Sequence, residues 1–508
     1  ELLNESHVDF RQGVEPDLVK REREISQLLN AKAQRQIQLT ARNGSKQEID
    51  TLNKEISALE DEYQQVQVAI RKASPAYAAL TQPQPLELQD IQKQLDPNTV
   101  LLEYSLGDER SYVWAVTPNS LKSYELAKRD EIQAKVKQVY DALTARSVVK
   151  SIETPAQRQD RINEADLLFQ QSAAELSKQV LDPVSSELGN KRIVVVADGA
   201  LQYIPFAALS VVSSPLSVAK NTGQLTTDNG QKYRPLVLDH ELITLPSASA
   251  LAVQRRNLEN RTVAPRSLAV IADPVFSSND SRLTKTVKVA DTNQESTADD
   301  TRIIEHLSTN SSGGLTISRL PFTRQEADQI LAVAPSASNL KAVDFRATRS
   351  LAMSDELSKY RYVHFATHGY LDSARPDLSA IVLSLVDQQG KPQDGFLRSH
   401  DIFNLKLPAE LVVLSACETG LGKDVKGEGL VGLTRGFMYA GARRVTVSLW
   451  NVNDKATATL MTNLYAGILK VRKTPAAALR AAQIEMMRSK QWTSPYYWAA
   501  FVMQGDWK

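Results

Sequence analysis

One cysteine, Cys417, stands in a chain of 508 residues. A lone thiol forms no intrachain disulfide, which excludes disulfide-stapled secreted folds and sets the expectation of a reducing, cytoplasmic location. Long hydrophobic runs are missing too, and no apolar stretch approaches the roughly eighteen residues of a membrane span. Net charge is nearly absent: 60 basic residues against 59 acidic ones leave +1, so nothing global calls for a nucleic-acid or membrane partner. The first residues, "ELLNESHVDF", lack Met, resemble no signal peptide and read as a cut into a longer protein. Neither the phosphate-binding G-x-x-x-x-G-K-[ST] nor the serine-hydrolase G-x-S-x-G occurs. "GEGLVG" (427–432) satisfies G-x-G-x-x-G, but ten residues separate it from the preceding strand, which excludes a dinucleotide turn. Its glycines are expected to give a flexible loop and close helix packing.

Against these absences, periodicity is clear. Ile49, Leu52, Ile56, Leu59, Tyr63, Val66 and Ile70 alternate steps of three and four, the seam of a coiled coil. Leu18, Ile25, Leu28 and Leu29 carry a weaker stripe, and Asn43-Gly44 lies between the two. The spacing predicts an antiparallel helical hairpin over residues 15–72, either a packing element or a partner-binding face. From residue 97 the pattern changes to two strands around a Gly-Asp turn, helices at 128–146 and 160–180, and the buried strand "KRIVVV". Residues 211–232 and 276–314 are polar, and surface excursions are expected there. The second holds Arg282, Lys285, Lys288 and Arg302, as surface ornament or as a loop whose cleavage opens a cleft.

The last 240 residues alternate strand and helix. Strands are expected at 267–274, 360–369, 379–387, 410–417, 443–452 and 496–505, and helices at 323–334, 347–359, 428–441, 455–470 and 474–488. Such alternation implies an α/β fold, a mostly parallel sheet sandwiched by helices. Three units are expected: 1–85, 90–265 and 266–508.

In such a sheet, reactive groups gather beyond the carboxyl ends of the strands. His368 closes "YRYVHFAT" and Cys417 closes "ELVVLSA", 49 residues later. A thiol beside a base becomes a thiolate nucleophile, and the N–H groups of Gly369 and Cys417 offer an oxyanion hole. Taken singly, each is as well read as a buried core residue. His364 and His368 share the i, i+4 spacing of zinc motifs, but Phe365 replaces the needed Glu and the segment reads as strand. No metal or cofactor is expected, and His364 is expected to pack on the strand face or support the site.

The stretches "YVHFATHGYLD", "LVVLSACETGLGKDVKGEGLVGLTRGFMYAGARRVTVSLWNVND" and "YYWAAFVMQG" resemble the CHAT-domain family, caspase-like proteins found downstream of tetratricopeptide repeats. The resemblance extends over roughly residues 90–508 and is most specific in the C-terminal 150. It implies a cysteine endopeptidase with a His368–Cys417 dyad on a caspase-hemoglobinase sheet, with a degenerate caspase-like half over residues 95–265. It also implies a protein or peptide substrate, and upstream repeats or a regulatory partner. Caspases place the His about 50 residues before the Cys, as here, but Ser415-Ala416-Cys417-Glu418-Thr419 departs from their Q-A-C-[RQG]-G. The likeness is therefore closer to separases than to Asp-cutting caspases. In such folds the strand after the nucleophile ends at the first specificity pocket, here "SLWNVND", with Trp450 as a wall and Asp454 as a floor. Glu418 adds charge beside the nucleophile, and an acidic pocket would select Arg or Lys. Asp454 reads equally well as a helix N-cap. The alternative to an enzyme is a catalytically silent scaffold on the same fold.

Overall fold

The structure, a computed structural model, describes residues 14–41, 45–74, 84–148, 153–210, 233–259, 261–283, 307–309, 315–334, 336–372, 375, 378–420 and 428–508. For residues 37, 38, 40, 41, 307–309, 315, 316, 416–420 and 428–431 it describes the backbone alone. The 211–232 excursion and most of the 276–314 insert, including Lys285, Lys288 and Arg302, lie outside the described residues.

The hairpin forms as its periodicity requires. Helix α1 is Pro16–Ala41 and α2 is Lys46–Ala73. A capping box starts α2: the Ser45 side chain accepts from the Glu48 N–H while the Glu48 carboxylate accepts from the Ser45 N–H. Arg21 with Glu62, Lys32 with Glu55 and Gln36 with Asn53 pair in descending order, which makes the helices antiparallel. Ile25, Leu29, Leu52, Ile56 and Ile70 form the seam, whereas Leu28, expected in the stripe, is 45% exposed. Its neighbour Leu29 occupies the inward position.

Among the described residues fifteen strands follow: β1 (Thr99–Ser105), β2 (Ser111–Thr117), β3 (Ser120–Leu126), β4 (Arg192–Val196), β5 (Leu242–Thr244), β6 (Arg266–Pro274), β7 (Leu307–Thr309), β8 (Leu315–Ile317), β9 (Leu340–Asp344), β10 (Tyr360–Leu371), β11 (Ala380–Val382), β12 (Phe396–Arg398), β13 (Leu411–Gly420), β14 (Arg444–Ser448) and β15 (Phe501–Gly505). β7 and β8 pair with each other, and the other thirteen form one mixed, mostly parallel sheet. One half runs β9-β6-β10-β13-β14, all parallel, with β11 and β12 antiparallel beside the far end of β10. The other half runs β3-β2-β1-β4-β5. The last strand, β15, joins them, pairing antiparallel with β14 and parallel with β5. A single core reaches from Leu95 to Trp507 across both halves.

Several elements differ from their sequence expectation, and β10 and β13 run on to Leu371 and Gly420, past the residues expected to close them. The helix expected from 160 starts at Pro155, because Thr154 and Gln157 form a capping box with Pro at the first turn. The segment 496–505 splits: Pro495 starts one helical turn, Pro495–Trp498, before β15. The helix expected at 347–359 is a short helix Arg349–Ala352 and a 3-10 turn Leu357–Lys359. The strand expected at 379–387 pairs only as β11, and that at 443–452 ends at Ser448, after which Leu449, Trp450 and Val452 enter the core. β3 was not expected. The β1–β2 turn needs its glycine, since a Cβ on Gly107 would stand 2.3 Å from the Arg110 carbonyl oxygen.

Helices cover both faces. On one, Tyr362 and Ala366 of β10 and Leu411 and Val413 of β13 pack with helices Pro321–Val333, Asp454–Leu469 and Pro475–Arg488. On the other, Val363, Phe365, Val412 and Leu414 pack with helices Ser399–Phe403 and Glu428–Tyr439. Among the described residues no helix is long and apolar enough to cross a membrane.

Candidate functional site

β10 and β13 are adjacent and parallel, in register from Tyr362↔Leu411 to Leu371↔Gly420, and within that ladder His368 stands opposite Cys417. Neighbouring strands lie about 4.8 Å apart, and register partners on parallel strands share a face. Counting by twos from Tyr362 and Leu411 puts positions 368 and 417 on the face covered by helices Pro321–Val333 and Asp454–Leu469. Two strands separated by 39 residues of chain thus bring the expected pair to one place. Gly369 lies in the next rung, between Ile381 of β11 and Glu418 of β13.

The His368 ring is fully buried. Its Nε2 is 2.7 Å from the backbone carbonyl oxygen of Ser318. A carbonyl only accepts, so Nε2 carries the proton and a neutral ring presents its lone pair at Nδ1. The Phe276 ring stands 5.2 Å from it, centroid to centroid. Phe276 also belongs to a small apolar cluster with Ile317, Tyr370, Val382 and Phe396. Ser318 was not singled out in the sequence, because an orienting backbone carbonyl leaves no trace in residue type.

The segment holding Ser318 is fastened by charge. Arg319 donates twice to Asp273, at 2.8 and 2.7 Å, and Arg324 donates to the same carboxylate at 2.9 Å. Asp273 is fully buried near the end of β6, with φ 47°, and Asp344 ends β9 with φ 55°. Aspartate is among the few residues that tolerate this left-handed region. Arg282 bridges the two, 3.2 Å from Asp273 and 2.7 Å from Asp344. Burial works against the Arg282 charge, but hydrogen bonds to Asp280 and Asp344 and the field of Asp273 hold its pKa above the usual value. Arg282 is therefore a clamp rather than surface ornament.

Asp454 opens helix Asp454–Leu469, but it is not the cap. The Asn453 side chain accepts from the N–H groups of Lys455 and Ala456, at 3.1 and 3.2 Å. The Asp454 carboxylate makes no hydrogen bond or ion pair among the described residues. Burial pushes its carboxyl up to about 6, and the nearby charge of Glu326 adds to the shift. Glu326 is itself buried, with Oε1 3.1 Å from His364 Nε2, and Tyr465 OH is 3.3 Å from His364 Nδ1. His364 thus packs on the strand face within a polar network on the His368 side of the sheet. Trp450 stands in the core: it is 2% exposed, its Nε1 donates to the Tyr496 carbonyl at 3.1 Å, and its ring meets Tyr140 edge-on.

The hairpin reaches the strands beside this site. Asn30 of α1 accepts from Arg398 at 2.9 Å and lies 3.0 Å from His400 Nε2. Arg398 ends β12, β12 pairs with β11, and β11 pairs with His368, Gly369 and Tyr370.

Comparison with known proteins agrees with this architecture. The family model of the CHAT domain matches residues 170–506. Tetratricopeptide repeat protein 28 of Homo sapiens is 35% identical over 114 residues, 22% of this chain and 4% of that protein. The Mus musculus protein of the same name is 36% identical over 110 residues. A solved chain of the Saccharomyces cerevisiae separase–securin complex aligns over 88% of this chain and 32% of its own length, with a TM-score of 0.50 at 10% identity. The chain therefore spans a small part of the curated relatives it matches and about a third of that separase-complex chain. At this identity the structural likeness concerns the fold, which is caspase-like.

Proposed function

The chain belongs to the CHAT domain family, and from that premise we propose that it is a cysteine endopeptidase cleaving protein substrates through His368 and Cys417. One observation carries the reading: the sequence's sole cysteine and a buried histidine are register partners on adjacent parallel strands of a caspase-like sheet. The Cys417 thiolate attacks the scissile carbonyl carbon. The C–N bond breaks as a thioester forms, and His368 delivers a proton to the departing amine. Water, deprotonated by His368, then releases the acyl group. The Ser318 carbonyl keeps the imidazole in one tautomer, and the backbone N–H of Cys417 holds the developing oxyanion; Gly369, expected beside it, is flanked by β11 and β13 and keeps its N–H in the sheet.

Asp454 is the residue we assign to P1 recognition, with Glu418 adding charge and Trp450 backing the pocket. Asp454 is relieved of capping by Asn453 and has no cationic partner of its own, so an incoming Arg or Lys supplies one. Upstream repeats or a partner protein regulate the site through the hairpin, whose Asn30 is bonded to the strand ending at Arg398.

Complete burial of His368 favours one other reading, a catalytically silent scaffold. Incubating a peptide library with the purified chain and with Cys417→Ala separates the two. The peptidase reading expects cleavage after Arg or Lys that disappears in the variant. Cleavage that survives the substitution overturns the dyad, and wild-type silence with an unreactive thiol establishes the scaffold.

A further inference from the structure

At the opposite end of the same strands lies a cavity of about 580 Å³. Tyr362 of β10, Arg444 of β14 and Glu410, just before β13, line it, together with Arg472, Lys473 and Thr474 at the entry to helix Pro475–Arg488. Tyr362 is six residues from His368 along one strand, so the cavity is roughly 20 Å from the proposed catalytic pair at about 3.3 Å per residue. It is not the peptidase cleft.

Its charge is one-sided. Arg361, Arg443, Arg444, Arg472, Lys473 and Lys508 line it against a single carboxylate, Glu410. That carboxylate is already shared: Arg443, Arg444 and Arg261 approach it at 3.5, 3.4 and 3.5 Å. Charge-assisted bonds close to about 2.7–2.9 Å when one cation has a carboxylate to itself. Arg444 is 3% exposed, and its Nε has no hydrogen-bond partner. Among the described residues no acidic group pairs with Arg361, Arg472 or Lys473. Burial, together with repulsion from Arg443 and Arg444, pulls the Arg261 guanidinium down to about 10 despite Glu410. Asp506, bonded to Arg255, stands 3.9 Å from Arg443, and Arg444 also donates to the Lys508 carbonyl, so Glu410 and Asp506 together serve the four arginines Arg255, Arg261, Arg443 and Arg444. Gathering these with the unpaired Arg361, Arg472 and Lys473 around a partly buried space is unfavourable unless an anion occupies it. The N-terminus of helix Pro475–Arg488, capped by Thr474, adds its positive end to the same wall.

We propose that this cavity is a binding site for a small molecule bearing two or more phosphate groups. A space of this volume lies within the range of small-ligand pockets, and the excess of cations matches a polyphosphate rather than a single carboxylate. Guanidinium groups bind phosphate oxygens in pairs, and lysine supplies point charge. The near-zero net charge of the chain speaks against an extended polyanion such as nucleic acid as the occupant.

Isothermal titration of the full chain with inorganic tripolyphosphate tests the assignment without reference to proteolysis. The expected result is one saturable site that weakens as salt is raised. The double variant Arg472→Glu/Lys473→Glu, both exposed positions, should weaken it at least about tenfold. The charge-matched control Lys20→Glu/Lys490→Glu, exposed and elsewhere, should leave it intact. If the double variant melts below the wild type, Arg361→Glu serves in its place with the same expected loss. No saturable binding up to about millimolar probe, equal loss in the control pair, or unchanged binding in both cavity variants overturns the proposal. So does a site that takes single-stranded oligonucleotide but not tripolyphosphate.

Discussion

Replacing Asp454 by Asn should stabilise the protein while removing its preference for basic residues. The carboxyl titrates near 6 rather than at its ordinary 3.8 because burial disfavours the anion and Glu326 repels it. A raised carboxyl pKa means that the native state holds its proton where the unfolded chain has lost it, so stability falls as pH climbs from about 4 to about 6. At 1.36 kcal/mol per unit, the ionised group costs up to about 3 kcal/mol above pH 7. Residual solvent contact reduces that to about 1–2 kcal/mol. Asn keeps the shape and removes the charge. Urea unfolding of wild type and Asp454→Asn at pH 7.5 and pH 5.0 should give a stabilisation that roughly halves at the lower pH, where the native carboxyl is already mostly protonated. In a parallel peptide assay the variant should lose selectivity for Arg or Lys at P1. A variant no more stable at pH 7.5, or a stabilisation that grows on acidification, would refute the burial argument. Retained basic selectivity would instead remove Asp454 from the pocket.

Two further perturbations act on neighbouring groups. Glu326→Gln removes the charge that helps hold the Asp454 proton, so the pH below which basic-P1 cleavage fades should move downward; an unshifted pH–rate profile would mean that the two carboxylates do not sense each other. Asn30→Ala strips an acceptor from Arg398, which is 1% exposed, and should cost about 1–3 kcal/mol in urea unfolding through the unsatisfied buried group, with α1 showing faster amide exchange than the sheet.

Local patterns were legible where neighbours in sequence are also neighbours in space. The three-four spacing from Ile49 to Ile70 predicted α2, and the apolar runs before His368 and Cys417 predicted where β10 and β13 begin to within one residue, although both strands continue to Leu371 and Gly420. Where a turn signal overrode hydrophobicity, as at Pro495 within "YYWAAFVMQG", the apolar run misled. In sequence Asp454 read equally well as pocket floor and as helix N-cap; the Asn453 side chain, accepting from the N–H groups of Lys455 and Ala456, takes the cap and leaves Asp454 for another role. Ser318 and Asn30 were missed altogether. One acts through a carbonyl that every residue possesses, and the other through a contact spanning 368 residues.

By itself the sequence determined the alternation of elements, the solitary thiol, and the strand that carries it, because each depends on residue type and short-range spacing; that strand runs on to Gly420 rather than closing at Cys417. Only the tertiary structure decided that β10 lies beside β13 in the register that sets 368 against 417, and that the C-terminal strand joins the two halves. Parallel strands meet through long crossovers, and hydrogen bonding between backbones is blind to side-chain identity. Their order and alignment therefore follow from how all the helices and strands bury their apolar faces together, which no single stretch of chain encodes.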